Sequence, residues 1–281
     1  MITIVADTLS CISVETAARL QVPLLPQIII FGEETFRDDT EIDSTTFLAK
    51  LRASSELPKT AAPPPALYTP IYEQYAAPGN TVIVLSPTSK LSGTYRSATV
   101  AAQDFPNADI RVVDTLTIGA GLGTLVYQAL KWRDEGCDAD TIVRKVSSMA
   151  AKERLLILVD TLEYLYKGGR IGGAKMLLGS LLQTKPLLSL KEGAIQPLET
   201  QRTKKRALAR LEELVKKECP RGDQSFLAIM QGDAEPEANL LAQQLSQELG
   251  IENVPVHFLP PAILVHAGPG ALGISFFPAD S

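Results

Sequence analysis

Cysteine and histidine are scarce in this sequence, and their scarcity limits the disulfides and metal sites that it can form. The 281 residues include three cysteines, Cys11, Cys137 and Cys219, which lie too far apart for a C-x-x-C motif. An odd, widely spaced set argues against a disulfide framework and indicates a reducing compartment. Because His257 and His266 are the two histidines, one chain cannot build a metal centre from three imidazoles.

The sequence also lacks a basic excess and a long apolar run. Lys and Arg number 27 against 32 Asp and Glu, so a nucleic-acid-binding role is not expected, because neutralising phosphates requires a concentrated basic face. The most apolar stretch, residues 22–31, is interrupted by two prolines and has about half the ~20 residues of a membrane helix. The N-terminus has no basic segment and meets Asp7 before a signal-peptide core could form. We therefore expect a cytoplasmic protein with at most transient membrane contact.

Short β-branched runs alternate with longer segments of helical period in the first half of the chain. This alternation predicts parallel strands connected by helices that cover the sheet. The expected strands are residues 2–6, 82–85 and 110–113, and the expected helices are residues 45–52, 66–75, 92–103 and 119–133. Residues 22–31 are expected to form a buried strand pair, or a strand and a turn.

The pattern changes near residue 153. The expected elements there are a strand at 155–159, glycine-rich turns at 168–173 leading into a helix through about Leu182, a strand at 186–190 with a hairpin turn into 195–198, helices at 203–218 and 235–249, and strands at 226–230, 254–258, 263–265 and 272–277. We predict an α/β fold of two domains. Residues 1–152 form a three-layer α/β/α domain with a parallel sheet, and residues 153–281 form an α/β domain with a mixed sheet.

Each expected parallel strand ends in a polar turn rich in hydroxyl groups. The turns are residues 7–10, 86–89 and 114–117. In open α/β sheets, ligands bind in the crevice outside the carboxyl ends of the strands. We therefore expect the three turns to face one ligand-binding crevice.

The second of these turns continues into residues 89–95, which place several hydroxyls before and within the first turn of a helix. Free backbone N–H groups and the helix dipole favour a small anion at such a position. Helix capping by Ser89 or Ser92 explains the same pattern. A cap needs one hydroxyl, whereas this segment has several, and it also has a glycine, Gly93, that permits a ligand to approach the backbone closely.

Near the C-terminus, His266 directly follows the expected strand 263–265. Three glycines, Gly268, Gly270 and Gly273, come within the next seven residues and allow a backbone to approach a ligand closely. The alternative is a histidine that is satisfied at a strand end and has a structural role.

Two glycine-rich segments resemble nucleotide-binding loops incompletely. Residues 168–175 have suitable glycine spacing but lack the Gly-Lys-Ser/Thr ending of a phosphate loop, which leaves Arg170 as a candidate contact for phosphate or carboxylate, or as an exposed loop arginine. Residues 119–124 miss the last small position of a dinucleotide motif. Close packing of the following helix on the sheet explains the second segment better.

Six motifs occur in a characteristic order along the chain. They are Asp7-Thr8 after the first strand, Thr60 before a proline, residues 91–95 (LSGTY), residues 164–171 (YLYKGGRI), Lys185-Pro186 and residues 266–270 (HAGPG). Together they resemble the DegV family over nearly the whole chain. The resemblance implies a bacterial fatty-acid-binding protein of two α/β domains, with the acyl chain in a buried tunnel and the carboxylate between the domains.

The resemblance also implies roles for individual residues. Those expected at the ligand are Thr60, Ser92, Gly93, Thr94, His266 and Gly268. Of these, Ser92 and Thr60 resemble the hydroxyls that hold the carboxylate, and His266 resembles the family histidine at the same head group. Arg170 and Arg202 resemble arginines at the cleft mouth that serve kinase docking or phosphoryl transfer.

By the same resemblance, the chain is a carrier subunit without catalytic residues or a cofactor of its own. It binds a long-chain fatty acid and presents it to a separate ATP-binding subunit of fatty acid kinase, which makes acyl phosphate. The chain departs from the family after Thr60, where Ala61-Ala62-Pro63 replaces the common Ser-Gln-Pro, so one hydroxyl and one amide are missing near the head group.

Elementary energetics agree with a carrier whose affinity comes from the tail. Burying about fifteen methylenes at ~0.8 kcal/mol each is worth roughly 12 kcal/mol before ordering costs. The alternative is a lipid hydrolase or acyltransferase that uses Ser92 with His266 and an aspartate such as Asp7. The sequence has no Gly-x-Ser-x-Gly elbow to mark Ser92 as a strained, exposed nucleophile.

Overall fold

The computed structural model describes residues 1–178 and 184–278, and the chain divides into two compact units. The first unit comprises Met1–Asp43 and Pro58–Ala151, and the second comprises Ser44–Leu57 and Lys152–Ser281.

Residues 44–57 lie in the second unit, whereas the expected boundary at 152 placed them in the first domain. The hydroxyl of Ser44 donates a hydrogen bond to the carbonyl of Leu259 at 2.8 Å, and Arg52 forms an ion pair with Asp233. These partners are 215 and 181 residues apart in sequence, so no local pattern could have indicated them.

The helices and strands have the following bounds. The strands are β1 (Ile2–Asp7), β2 (Leu24–Leu25), β3 (Ile28–Phe31), β4 (Glu34–Arg37), β5 (Lys59–Ala61), β6 (Thr81–Ser86), β7 (Asp109–Asp114), β8 (Arg154–Leu158), β9 (Lys185–Lys191), β10 (Ala194–Gln201), β11 (Ala228–Gly232), β12 (Val256–Phe258) and β13 (Ala271–Phe276). The helices are α1 (Val14–Arg19), α2 (Ser44–Ala53), α3 (Thr69–Tyr75), α4 (Thr94–Ala102), α5 (Ala120–Asp134), α6 (Ala139–Ala150), α7 (Glu163–Lys167), α8 (Lys204–Glu218), α9 (Glu235–Leu249) and α10 (Pro261–Ala267).

A parallel sheet of order β2-β1-β6-β7 lies at the centre of the first unit. The three strands expected there form, each longer by one residue at one or both ends. Side chains alternate between the two faces of a strand, and Val5, Val82 and Val84 share one buried cluster with Tyr68 and Tyr72. The parallel sheet predicted from the sequence is confirmed.

A small antiparallel sheet of order β4-β3-β5 completes the first unit. Its central strand β3 comes from the apolar stretch 22–31, which also supplies β2, so the expected strand pair is present although the two strands belong to different sheets. Thr60 lies on the edge strand β5 opposite Ile29.

The second unit contains a mixed sheet of order β10-β9-β8-β13-β11-β12, in which β11 and β12 are parallel and the other neighbours are antiparallel. The mixed sheet is confirmed. The hairpin between β9 and β10 turns at Glu192 and Gly193, which have φ of 49° and 77°. Two successive positive φ values match the twist of a two-residue hairpin.

The strand expected at residues 263–265 is wrong, because this segment belongs to helix α10. Pro261 is the first residue of the helix, where its fixed φ and missing N–H are tolerated. Ala262, Leu264 and Val265 are buried, which follows the spacing of one helical face.

The helix expected to run through about Leu182 is also different. The chain forms the short helix α7 and a 3-10 helix at Gly172–Leu177, and residues 179–183 of the expected helix lie outside the described residues.

No helix within residues 1–178 and 184–278 is both long and apolar enough to traverse a bilayer.

Candidate functional site

The polar turns after β1, β6 and β7 lie together at the carboxyl edge of the parallel sheet, as the sequence predicts. Two of their hydroxyls are used by the backbone. Ser86 donates to the carbonyl of Val113 at 2.9 Å, and Thr115 donates to the carbonyl of Ser86 at 2.8 Å. These two hydroxyls connect the ends of β6 and β7 and therefore have a structural role.

The turn after β1 contains a carboxyl group that is buried in a polar cluster. Asp7 is 1% exposed, and its Oδ1 accepts a hydrogen bond from the backbone N–H of Leu9 at 3.1 Å. Its Oδ2 lies 2.8 Å from Gln27 Nε2 and 3.0 Å from Thr94 Oγ1. Gln27 Nε2 also reaches Thr94 Oγ1 at 3.2 Å, so the three side chains form a closed triangle.

A row of hydroxyls leads outward from this triangle. Thr94 Oγ1 lies 2.9 Å from Ser92 Oγ, and Thr94 is 1% exposed whereas Ser92 is half-buried. We call Asp7, Thr94 and Ser92 the hydroxyl relay. Asp7 is its buried end, and Ser92 is its outer end.

Ser92 also serves the start of helix α4. Its Oγ accepts a hydrogen bond from the backbone N–H of Thr94 at 3.2 Å, whereas the N–H of Ser89 bonds to the carboxylate of Asp114. Ser92 Oγ therefore satisfies a first-turn N–H, as the capping interpretation predicts, and it also ends the relay, whereas its role in ligand binding stays a prediction.

Burial raises the pKa of Asp7 to about 8. The hydrogen bonds from Thr94, Leu9 and Gln27 oppose this rise, and the negative charge of Asp38 adds to it. Asp7 is consequently protonated at neutral pH. A protonated carboxyl donates one hydrogen bond in addition to those it accepts.

Asp38 is held beside this cluster by two short hydrogen bonds. Its Oδ1 accepts from the backbone N–H of Gln27 at 2.7 Å and from the hydroxyl of Thr8 at 2.8 Å. Neither Gln27 nor Asp38 was identified from the sequence. Gln27 offered one signal, since it is an amide within the apolar stretch 22–31.

The segment after Thr60 lies against the turn that carries Ser92. A Cβ on Gly93 would stand 3.3 Å from the Cβ of Ala62, so Ala62 packs directly beside this glycine. Ala62 is one of the two positions at which the chain departs from the pattern it resembles. The departure therefore changes the surroundings of the Ser92 turn itself.

In the second unit, His266 lies in the last turn of α10 rather than after a strand. Its imidazole packs against Gly168, where an added Cβ would overlap Nδ1. Burial, together with the positive charge of Arg170, lowers the pKa of His266 to about 4. The ring is therefore neutral at physiological pH.

Arg170 and Gly268 lie in the same part of the second unit. Arg170 is half-buried, and its Nη1 donates to the carbonyl of Gly168 at 2.7 Å. Gly268 has φ of 74° and packs on the ring of Tyr164, which leaves no space for a side chain. The structure thus groups the expected residues His266, Gly268 and Arg170 into one cluster, which we call the histidine cluster.

Arg202 occupies a different environment. It is exposed in the link between β10 and α8, just before Thr203, whose side chain caps α8. Its assignment to a partner or to phosphate stays a prediction, as do the ligand roles of the other expected residues.

Among the glycines at 119–124, Gly123 packs closely against a neighbouring segment. A Cβ on Gly123 would stand 2.5 Å from the carbonyl oxygen of Ser10, so helix α5 contacts the turn after β1 through bare backbone.

The fold and these clusters define a class of protein. It is an α/β chain of two units, one with a parallel sheet whose carboxyl edge carries a hydroxyl relay, and one with a mixed sheet and a neutral, half-buried histidine. The model of the DegV family, described as "Uncharacterised protein, DegV family", matches residues 1–279. The chain belongs to the DegV family.

Individual relatives cover the whole chain. A DegV domain-containing protein of Halalkalibacterium halodurans is 30% identical over 277 residues, which are 98% of each protein. Among solved structures, a DegV family protein from Thermus thermophilus has a TM-score of 0.90 and 30% identity and covers 99% of each chain. A DegV family protein from Streptococcus agalactiae has a TM-score of 0.89 and 30% identity, with 100% of this chain and 99% of that chain covered. Both structures are described as fatty acid binding.

Proposed function

We propose that this chain is a fatty-acid carrier. It binds a long-chain fatty acid, holds the carboxylate at the outer end of the hydroxyl relay, and presents it to an ATP-binding kinase subunit. The observation that carries the proposal is the likeness, over the whole chain, to two fatty acid binding DegV proteins at 30% identity.

The chemistry of the relay supports a binding role for Ser92. Its hydroxyl is fixed by Thr94 and stands at the start of α4, where backbone N–H groups favour an anion. Neutral hydroxyls hold a carboxylate without a strong ion pair. The carboxylate therefore keeps the freedom to react or to leave.

A carrier role also requires no nucleophile from this chain's own residues. A carboxylate is already a nucleophile, and its oxygen attacks the γ-phosphorus of ATP to give acyl phosphate and ADP. The kinase subunit supplies ATP and stabilises the transferred phosphoryl group. We propose that Arg170 and Arg202 contact this partner or the incoming phosphate, because guanidinium groups suit bidentate contact with phosphate.

The rival function, a serine hydrolase or acyltransferase, finds little support in the same geometry. Ser92 Oγ contacts the hydroxyl and the N–H of Thr94, neither of which is a base. A histidine with a pKa near 4 is a weak base at neutral pH, and this applies to His266.

Mass spectrometry of the protein, purified from a bacterial cytoplasm without detergent, tests the proposal. We expect a mass increase of one long-chain fatty acid under native conditions that disappears on denaturation, and the same acid in a solvent extract. Absence of fatty acid from both would contradict the carrier function. A mass increase that survives denaturation would instead support an acyl-enzyme.

Presentation is tested with a cognate kinase subunit and ATP. We expect Arg170→Ala and Arg202→Ala to retain bound fatty acid but to form acyl phosphate more slowly, with Arg206→Ala, an exposed arginine of α8, as the matched control. Ser92→Ala and His266→Ala should impair the reaction through the head group, whereas exposed Ser148→Ala should not. Wild-type rates in all four variants would refute these assignments.

A further inference from the structure

The hydroxyl relay has a direction, because Thr94 can donate its hydroxyl hydrogen to one neighbour and must accept from the other. Thr94 carries a single hydroxyl hydrogen, yet its Oγ1 lies within hydrogen-bond distance of both Asp7 Oδ2 and Ser92 Oγ. Gln27 Nε2 donates to Asp7 Oδ2 and to Thr94 Oγ1, so its two hydrogens are already used. The direction of the relay is therefore decided by whether Asp7 Oδ2 carries a proton.

With Asp7 ionised, the relay points inward. Thr94 donates to Asp7 Oδ2, and Ser92 must then donate to Thr94 Oγ1. The hydrogen of Ser92 is consumed, so Ser92 offers only a lone pair at its outer side. A lone pair repels a carboxylate.

With Asp7 protonated, every bond in the relay reverses. Asp7 Oδ2 donates to Thr94 Oγ1, Thr94 donates to Ser92 Oγ, and the hydrogen of Ser92 is released to point outward. Ser92 Oγ still accepts from the N–H of Thr94, so no donor or acceptor in the row is lost. Ser92 now presents a donor to a carboxylate.

We propose that Asp7 is a positioning residue whose proton sets Ser92 as a donor, so that the chain binds a fatty-acid carboxylate only while Asp7 Oδ2 is protonated. The inference rests on the proposed function, since it assumes a carboxylate at Ser92. Asp7 itself does not touch the ligand; it acts through Thr94.

The titratable groups around Asp7 favour the protonated form. Asp38 faces it with a negative charge, and the thiol of Cys11 and the phenol of Tyr68 are the other groups coupled to it. Burial and the proximity of Asp7 raise the pKa values of Cys11 and Tyr68, so both stay neutral. Since the pKa of Asp7 is about 8, the donor state of Ser92 is populated at neutral pH and is lost in alkaline solution.

Calorimetric binding of decanoate to the delipidated protein between pH 6.5 and 9.5 tests the inference. Decanoate is ionised throughout this range. We expect Kd to be about 30-fold higher at pH 9.5 than at pH 6.5, because about 3% of Asp7 with a pKa of 8 is protonated at the higher pH. Measurements in two buffers of different ionisation enthalpy should show uptake of nearly one proton per decanoate at pH 9.5 and almost none at pH 6.5.

Variants of the relay separate positioning from a structural role. Asp7→Asn removes the titrating carboxyl, and Thr94→Val cuts the link between Asp7 and Ser92, so in each variant the ratio of Kd at the two pH values should fall to about one. Thr94→Ser restores the hydroxyl and should restore the ratio. Asp38→Asn should move the pH midpoint downward, because the charge of Asp38 raises the pKa of Asp7. Ser148→Ala, outside the relay, should keep the wild-type ratio.

The outcomes are distinguishable. Decanoate binding with a pH-independent Kd and no proton uptake would overturn the inference and leave the proposed function standing. Failure of both decanoate and a long-chain fatty acid to bind at any pH would overturn the proposed function and the inference with it. If Asp7→Asn does not fold, the comparison of Thr94→Val with Thr94→Ser decides the question alone, and equal pH dependence in these two variants would refute the relay.

Discussion

Replacing Asp7 with asparagine should change the pH dependence of stability of the first unit. Asp7 is buried and uncharged at neutral pH, and asparagine has nearly the same shape but does not titrate. The folded protein holds the proton of Asp7 more tightly than the unfolded chain does, with a pKa of about 8 against 3.8. This difference is worth ~6 kcal/mol between the two protonation states.

The direction in which the free energy of unfolding changes with pH follows from proton linkage. The folded pKa is raised, so the stabilising effect of the proton is fully present below pH 3.8 and is lost progressively as the pH rises to about 8. Within this window the wild type loses about 1.4 kcal/mol per pH unit through this group. Between pH 5 and pH 7.5, Asp7→Asn should therefore gain about 3 kcal/mol relative to the wild type.

Denaturant unfolding followed by the fluorescence of Trp132, the single tryptophan, measures this difference. Trp132 lies on α5, so its signal reports on the first unit, which contains Asp7. Asp104→Asn, an exposed carboxylate of the same unit, is the control and should follow the wild type. Parallel pH profiles for Asp7→Asn and the wild type would show that Asp7 is not held protonated by the fold.

Three further variants test individual packing contacts and hydrogen bonds. Gly123→Ala should lower the free energy of unfolding by about 1–3 kcal/mol, because its Cβ would stand 2.5 Å from the carbonyl of Ser10; wild-type stability in denaturant would contradict this contact. Gly168→Ala should displace the His266 ring and raise its pKa from about 4 towards 6.5, as an NMR titration would show. Tyr72→Phe should cost about 1 kcal/mol in thermal unfolding, since the hydroxyl donates to a backbone carbonyl at 3.1 Å, and an unchanged Tm would argue against that bond.

The sequence predicted the elements whose local pattern is unambiguous. The β-branched runs after residues 1, 80 and 108 form adjacent parallel strands, and the continuous apolar character of the first two suits their burial on both faces. Helix α9 has the predicted bounds, with Pro236 in its first turn and Gly250 at its end in the left-handed conformation. Here local propensity and tertiary packing agree.

Short apolar segments were predicted less well, for a physical reason. Three apolar residues in a row, such as 263–265, fit the period of a strand and the buried face of a helix equally well. This segment forms a helix because Pro260-Pro261 starts it and because its apolar residues are buried in that conformation. His266 consequently lies in the last turn of a helix, and its neighbour is Gly168 rather than a strand partner.

The sequence by itself determined the two α/β patterns, the family motifs and the presence of hydroxyls at the start of α4. Only the tertiary structure decided what those hydroxyls connect to, because Asp7 meets Gln27 and Thr94 across 20 and 87 residues of chain. Burial at that meeting point, a property of the folded chain and of no single segment, raises the pKa of Asp7. The sequence shows that residue 7 is an aspartate, but whether its carboxyl group carries a proton depends on the protein that surrounds it.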